Sequence, residues 1–239
     1  MVVDASPVKE TIEPGQFFNI KCGESYFPLL RRPFSIYKIN DTTLEFMYLV
    51  KGAGTKYLTR LETGDKVNLF GPLGKPFSLE QSYQTILLVA RGVGIATLAA
   101  LAQKAAQDGI RAVAILSART TNDLLAAQEL QEFGAEVYKV TEEEGTSDVA
   151  NVRKMVNQIM IEHPIDAVFT CGSKRLSILL QDMIKENHIP GQIALEEHMG
   201  CAMGVCYACV CDVKEEDAVH SVKVCKDGPV FPLEKVVLK

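Results

Sequence analysis

Four cysteines near the end of the chain are the residues best spaced for chemistry. Cys201-Ala-Met-Gly-Val-Cys206-Tyr-Ala-Cys209 supplies three, and Cys225 the fourth, so the pattern is C-x4-C-x2-C-x15-C. Three thiolates on one loop and a fourth from beyond it is the ligand spacing of a [2Fe-2S] cluster, a carrier of one electron at a time. Gly200, Ala202, Gly204 and Ala208 are small, which lets backbone amides approach the sulfurs and hydrogen-bond to them. Zinc is the rival, but structural zinc usually draws on two separate C-x2-C knuckles, and only Cys206 and Cys209 form one. A disulfide framework fits less well, because nothing marks secretion and the total of seven cysteines is odd. Choosing Cys211 over Cys209 would give C-x4-C-x4-C, so Cys211 is read as a buried neighbour.

A chain of 239 residues is long for one domain and suits two with a small appendage. At 47% hydrophobic and 23% charged it has the composition of an ordinary soluble globular protein. A net charge of -5 without a Lys/Arg cluster argues against nucleic acid as a partner. The first ten residues include Asp4 and no apolar core, so no signal peptide is expected. No apolar run has membrane-spanning length, and reduced cysteines place the chain in the cytoplasm.

The elements that must position the thiols come in two styles. Up to about Ser78, short strands alternate with turn residues: Phe17 to Lys21 after the turn Glu13-Pro14-Gly15-Gln16, Arg32 to Tyr37, Thr43 to Val50, and Lys66 to Phe70 before a turn at Gly71-Pro72. This pattern predicts a small antiparallel barrel. Arg32-Pro33-Phe34-Ser35 sets a cation, a flat ring and a hydroxyl along one strand, a set suited to a phosphate and a ring system. Lys51-Gly52-Ala53-Gly54-Thr55 opens a predicted helix over 56–61, whose first amides can receive a pyrophosphate. Either stretch alone is more often a plain strand or turn.

From Tyr83 onward strands and helices alternate. Strands are predicted at Thr85 to Ala90, Ala112 to Leu116, Glu136 to Val140, Ala167 to Cys171 and Gln192 to Leu195, with a helix from Ile95 to Gln107. Further helices bury the stripes Val152, Met155, Val156, Ile159 and Leu176, Leu179, Leu180, Met183. Such units build an open, doubly wound parallel sheet that binds ligands beyond its carboxyl ends. Three loops fall there: Gly92-Val93-Gly94, which could face a pyrophosphate; Ser117-Ala118-Arg119, near a ribose or its phosphate; and Cys171-Gly172-Ser173. Thr97 stands where the last glycine of G-x-G-x-x-G would be, so the dinucleotide fingerprint is incomplete. Glu142-Glu143-Glu144 reads as a solvated loop and Cys22 as a strand residue, and His163 and His198 have no metal-site spacing.

In their order, a flavin-type barrel, a nucleotide-type sheet and a four-cysteine loop resemble the ferredoxin-NADP reductase superfamily. Within it, the chain is most similar to the electron-transfer subunits of bacterial type B dihydroorotate dehydrogenases. Arg32-Pro-Phe-Ser35, Gly52-Ala-Gly-Thr55, Gly71-Pro-Leu-Gly74, Cys171-Gly172, the cysteine loop and Val224 to Phe231 carry the likeness. It implies an FAD-binding barrel over 1–79 with a truncated first strand, an NAD(P)-type α/β domain over 80–195, and a [2Fe-2S] subdomain over 196–239. By the same likeness, Arg32, Pro33, Phe34 and Ser35 contact the flavin and its phosphates, with Ser35 near flavin N5. Met47, Tyr48 and Leu49 lie beside the ring, Gly54 and Thr55 at the pyrophosphate, Gly92 and Gly94 at the dinucleotide, and Cys171 with Gly172 near the nicotinamide. Cys201, Cys206, Cys209 and Cys225 are the cluster ligands. The chain differs from the pattern in starting late, leaving a barrel edge to be covered, in Arg91 within Ala90-Arg91-Gly92-Val93-Gly94, and in Leu49.

The implied activity is electron transfer between NAD(H) and a partner through FAD and [2Fe-2S]. The partner would be an FMN-containing TIM-barrel dehydrogenase acting on dihydroorotate, in a hetero-oligomer. The alternatives are a reductase subunit for another flavoenzyme and a zinc-bound interaction module on an inactive reductase fold.

Overall fold

A computed structural model describes residues 1–23, 26–216 and 218–238. Its first part pairs short strands antiparallel: β1 (Val2–Asp4), β2 (Phe17–Ile20), β3 (Arg32–Ser35), β4 (Lys38–Ile39), β5 (Thr43–Glu45) and β6 (Leu69–Leu73), with helix α1 (Ala53–Leu58) before the last. They form two three-stranded sheets, ordered β1-β5-β4 and β3-β2-β6. Phe18, Ile20, Phe34, Ile36, Leu44, Phe46 and Leu58 fill the space between them. The edge of the first sheet is the three-residue β1, whose residues pair with Thr43 to Glu45.

Boundaries in this part depart from the sequence expectation where backbone pairing, rather than residue type, decides. The strand expected to stop at Gly71-Pro72 runs through it to Leu73. Against β2 its register slips, Phe17 facing Leu73 and Asn19 facing Phe70, so the extra residue forms a bulge. The extended run expected to Val50 is strand only through Glu45; Phe46 still exchanges backbone hydrogen bonds with Met1, and Met47, Tyr48 and Leu49 become a wall of the site. Helix α1 covers Ala53–Leu58, starting ahead of the predicted 56–61. Cys22 is buried but lies two residues past the end of β2.

The second part follows its prediction closely. Strands β7 (Thr85–Arg91), β8 (Arg111–Ala118), β9 (Glu136–Thr141), β10 (Ala167–Cys171) and β11 (Gly191–Ala194) are linked by α2 (Ile95–Gln107), α3 (Ala127–Glu132), α4 (Val149–Glu162) and α5 (Lys174–Asn187). Residues of β7 alternate between faces, as a period of two requires. Ile86, Leu88 and Ala90 pack toward α2 and α3, and Leu87 and Val89 toward α4 and α5. The sheet carries a sixth strand that the parallel reading did not contain. After the hairpin β12 (Val210–Glu215) and β13 (Ala218–Lys223) and the short α6 (Val224–Asp227), β14 (Val230–Pro232) joins antiparallel beside β11, giving β14-β11-β10-β7-β8-β9. Cys209, Val213, Val224, Cys225, Phe231 and Leu233 therefore share one core with Leu87, Val89 and the α4–α5 face. The thiol-bearing segment is seated on the sheet rather than tethered to it.

Candidate functional site

Between barrel and sheet lies a cleft of about 240 Å3 to which every part of the chain contributes. From the barrel come Phe17, Pro33, Phe34, Ser35, Met47, Tyr48, Leu49 and Lys51; Val93 and Ala96 come from the turn after β7 and the start of α2; Leu195, Glu196, Glu197 and Met199 follow β11, and Pro229 precedes β14. The rings of Phe34 and Tyr48 stand 5.4 Å apart, tilted by 59°, and make one wall flat and apolar. A second cavity of about 310 Å3 shares Leu195, Glu196 and Glu197 and extends to Gly172, Ser173, Lys174 and Cys211.

The two weak barrel motifs meet in space. A β-carbon on Gly54 would lie 3.3 Å from Arg32 Cγ and 3.2 Å from Cys22 Cβ, so α1 is pressed against the strand that carries Arg32. The Thr55 hydroxyl accepts from the amides of Lys51 at 2.9 Å and Gly52 at 3.1 Å. Those two donors are spent on the turn itself, while the first-turn amides of Ala53, Gly54 and Thr55 have no intrahelical acceptor. Adjacent arginines divide their work. Arg31 reaches Asn19 O at 3.2 Å, Asn68 O at 3.1 Å and Asn68 Oδ1 at 2.6 Å, tying the barrel together. Arg32 uses Nη1 on the nearby carbonyls of Leu30 and Arg31, which braces its guanidinium beside Gly54.

On the sheet side, glycine placement is dictated by crowding. Gly94 abuts Cys171 and Gly172, and Gly172, at φ +92°, abuts the carbonyl of Arg91. Gly92, at φ +55°, has nothing within 4 Å of its notional β-carbon and stands open. Cys171 is buried at the end of β10; burial, and then Glu196, push its thiol well above the ordinary range, so it is a neutral group. Glu196 has an exposed edge by surface area yet is crowded by the cleft walls. That crowding raises its carboxyl above the usual range, with Lys51 opposing.

Two charged features carry hydrogen bonds of their own. The guanidinium of Arg91 donates to Ser117 Oγ at 2.8 Å and pairs with Glu142 at 2.6 Å. The run Glu142-Glu143-Glu144 is an exposed turn, as its composition suggests, in which Glu143 accepts from the Thr121 amide and Glu144 from the Thr141 hydroxyl. The pairing of Arg91 with Glu142 joins the ends of β7 and β9 and has no local signal. Arg119 is exposed, Ser117 and Ala118 belong to β8 and are buried, and Cys211 is half-buried on β12. His163 Nε2 lies 3.4 Å from Glu136, and His198 is exposed.

The cysteine loop brings the four thiols together as two pairs. Cys201 interacts with Cys206, and Cys225 with Cys209, with Cys201 a charged neighbour of Cys225. Among the described residues, no three His, Cys, Asp or Glu converge as a single-ion site requires. Two pairs suit two metal centres sharing bridges, each taking two thiolates. Amides of Met203, Val205 and Cys206 donate to Cys201 Sγ at 3.4, 3.3 and 3.4 Å, and the Cys225 amide to Cys209 Sγ at 3.5 Å. Donation led by the Met203 amide lowers the Cys201 thiol to about 6. Burial, then Cys209, raises the Cys225 thiol to about 12. Gly200 leaves room for Cys206: a β-carbon there would lie 3.2 Å from its Sγ, a tight contact. Donor set, amides and small residues thus fit a [2Fe-2S] cluster.

A barrel facing the carboxyl ends of a parallel sheet, with a cleft between them, defines a ferredoxin-NADP reductase-type electron-transfer protein. Solved structures agree. The chain is similar to NADH-dependent reduced ferredoxin-NADP oxidoreductase with a TM-score of 0.80, 25% identity, and coverage of 99% of this chain and 84% of that one. It also matches the fold of ferredoxin-NADP+ reductase from Plasmodium falciparum, with a TM-score of 0.55, 13% identity and coverage of 77% and 87%. Residues 196–237 match the iron-sulfur cluster binding domain of dihydroorotate dehydrogenase B. Over the full chain and 92% of the relatives' length, it is 37% identical to the electron transfer subunits of dihydroorotate dehydrogenase B (NAD(+)) from Bacillus cereus (strain B4264) and Bacillus anthracis (strain CDC 684 / NRRL 3495). The chain belongs to this family of electron transfer subunits.

Sequence reasoning missed Leu195, Glu196, Glu197, Met199 and Pro229 as cleft residues. The first four carry no motif and reach the cleft as the segment leaving the carboxyl end of β11; Pro229 sits within the Val224 to Phe231 motif, but nothing local shows that the turn before β14 faces the barrel.

Proposed function

We propose that the chain is the electron-transfer subunit of a dihydroorotate-oxidising complex, exchanging electrons between a catalytic partner subunit and NAD(H) through FAD and a [2Fe-2S] cluster. The observation that carries this reading is a cleft lined jointly by barrel, sheet and the segment leading into the four thiols. The flavin, when bound, converts between the electron pair of a hydride and the single electrons that an iron-sulfur centre accepts.

The protein's own residues have distinct tasks in this reading. Arg32 and the first-turn amides of α1, including those of Gly54 and Thr55, offset the charge of the FAD phosphates. Pro33, Phe34, Met47, Tyr48 and Leu49 exclude water from the ring, and Ser35 offers a hydrogen bond at N5. Gly92 leaves the turn after β7 open toward the dinucleotide, and Gly94 and Gly172 hold that turn against β10. Cys171 lies buried behind the nicotinamide end as a neutral thiol, adding no charge near a ring that changes charge on hydride transfer. Cys201, Cys206, Cys209 and Cys225 would hold the cluster, and the amides donating to Cys201 Sγ would help tune its potential. No residue of this chain serves as acid or base on dihydroorotate. That chemistry belongs to the partner, which we take to be an FMN-containing TIM barrel in a cytoplasmic hetero-oligomer. Among the described residues, no helix is long and apolar enough to cross a membrane.

The likeness to NADH-dependent reduced ferredoxin-NADP oxidoreductase favours a second reading, in which the same machinery serves a different flavoenzyme. Purification of the native complex, with flavin, iron and subunit analysis and an assay of dihydroorotate-dependent NAD+ reduction, separates the two. Recovery of a dihydroorotate dehydrogenase subunit and that activity support the first; a different partner and no such activity overturn it.

A further inference from the structure

The carboxyl ends of β7, β8 and β9 carry a charged network that the proposed function leaves unused. Arg91, the last residue of β7, donates from Nη1 to Ser117 Oγ at 2.8 Å and from Nη2 to Glu142 Oε1 at 2.6 Å. Arg175, in the first turn of α5, reaches the same carboxylate oxygen at 3.4 Å. Glu142 is held in place by its backbone: its amide donates to Ala118 O at 3.2 Å, and that of Glu143 to Arg119 O at 3.0 Å. The result is a carboxylate, two guanidiniums and a hydroxyl fixed over the strand ends, on the side of β7 where a dinucleotide's adenosine half lies in sheets of this order.

We infer that Glu142, braced between Arg91 and Arg175, makes the chain select a dinucleotide whose adenosine ribose bears a free 2′-hydroxyl over one bearing a 2′-phosphate. The inference rests on the reading that the cleft takes NAD(H). A carboxylate accepts hydrogen bonds from ribose hydroxyls, whereas it repels a phosphate and already occupies the two cations a phosphate would need. Without that carboxylate's charge, two guanidiniums and the Ser117 hydroxyl become a phosphate-binding set. The network is half-exposed, with Arg91 21% and Glu142 43% accessible, so ligands can reach it. Selectivity here is therefore a matter of one acidic side chain rather than of the backbone.

Titration calorimetry of NAD+ and NADP+ into the purified, cofactor-loaded full chain tests this without relying on turnover. Wild type should prefer NAD+ by about tenfold or more, and Glu142→Gln should shift the ratio about tenfold or more toward NADP+. Adding Arg91→Ala to Glu142→Gln should remove that gain, and Arg91→Ala alone should weaken NADP+ further. An unchanged ratio in Glu142→Gln, with NAD+ still bound, overturns the inference and leaves the parent reading standing. If neither nucleotide binds wild type at millimolar concentration, the parent reading falls and takes this one with it. Thermal unfolding of each variant shows whether it is folded, and Arg91→Ala supplies an independent readout if Glu142→Gln is not.

Discussion

The α-carbon of Gly94 sits so close to the end of β10 that a β-carbon on it would lie 2.7 Å from the carbonyl oxygen of Cys171. The turn after β7 and the turn after β10 are thereby packed backbone to backbone. Neighbouring Gly92 faces open space, so two glycines of one G-x-G have different reasons to be glycine. Gly94→Ala should destabilise the chain by about 3 kcal/mol or more, because backbone must move. Gly92→Ala should cost about 1 kcal/mol, the penalty of a left-handed residue alone. Denaturant unfolding of both variants measures the difference; equal losses would contradict the interlock.

Arg31 and Arg32 are adjacent but should fail differently. Arg31→Ala removes hydrogen bonds to Asn19 and Asn68 and should lower stability by about 1–2 kcal/mol with little effect on flavin affinity. Arg32→Ala should keep the fold and weaken FAD binding about tenfold or more. Flavin-to-protein ratios after gel filtration, read beside unfolding curves, check both.

Cys206 is exposed on its loop while Cys211 is half-buried on β12. Cys206→Ser should lose iron and the visible absorption of the cluster yet retain FAD. Cys211→Ser should retain both. Joint loss of iron and flavin from Cys206→Ser would show that the two sites are not separable.

Iron-free protein offers a chemical test of the loop. With the Cys201 thiol lowered to about 6 by its amide donors, it is mostly thiolate at pH 7; with Cys225 raised to about 12 by burial, that thiol stays protonated. Alkylation at pH 7 should therefore mark Cys201 well before Cys225 by peptide mass spectrometry. Lowering the pH through 6 should slow modification of Cys201. Equal labelling of the two would mean that the amides do not point at Cys201 without metal.

Some of this molecule was written locally. The cysteine spacing, the apolar run of β7, the helix at Ile95–Gln107 and the two apolar stripes on α4 and α5 are periodic or compositional signals, and they survived folding unchanged. Short-range information suffices there because a helix face or a buried strand is defined by its own residues. Barrel boundaries were less legible: whether Gly71 ends a strand or bulges within it depends on Phe17 to Asn19, more than fifty residues earlier.

The pairing of Arg91 with Glu142, the contact of Gly54 with Arg32, and the closing of the cleft by Met199 and Pro229 were decided only by tertiary structure. Each joins segments far apart in the chain through sheet order or strand return, and no local pattern encodes which strand ends will be neighbours. The sequence by itself determined the chemistry available: four thiols at cluster spacing, a cation-ring-hydroxyl strand, and glycine turns after parallel strands. Folding determined which of those groups share a wall, because that depends on packing across the sheet and not on distance along the chain.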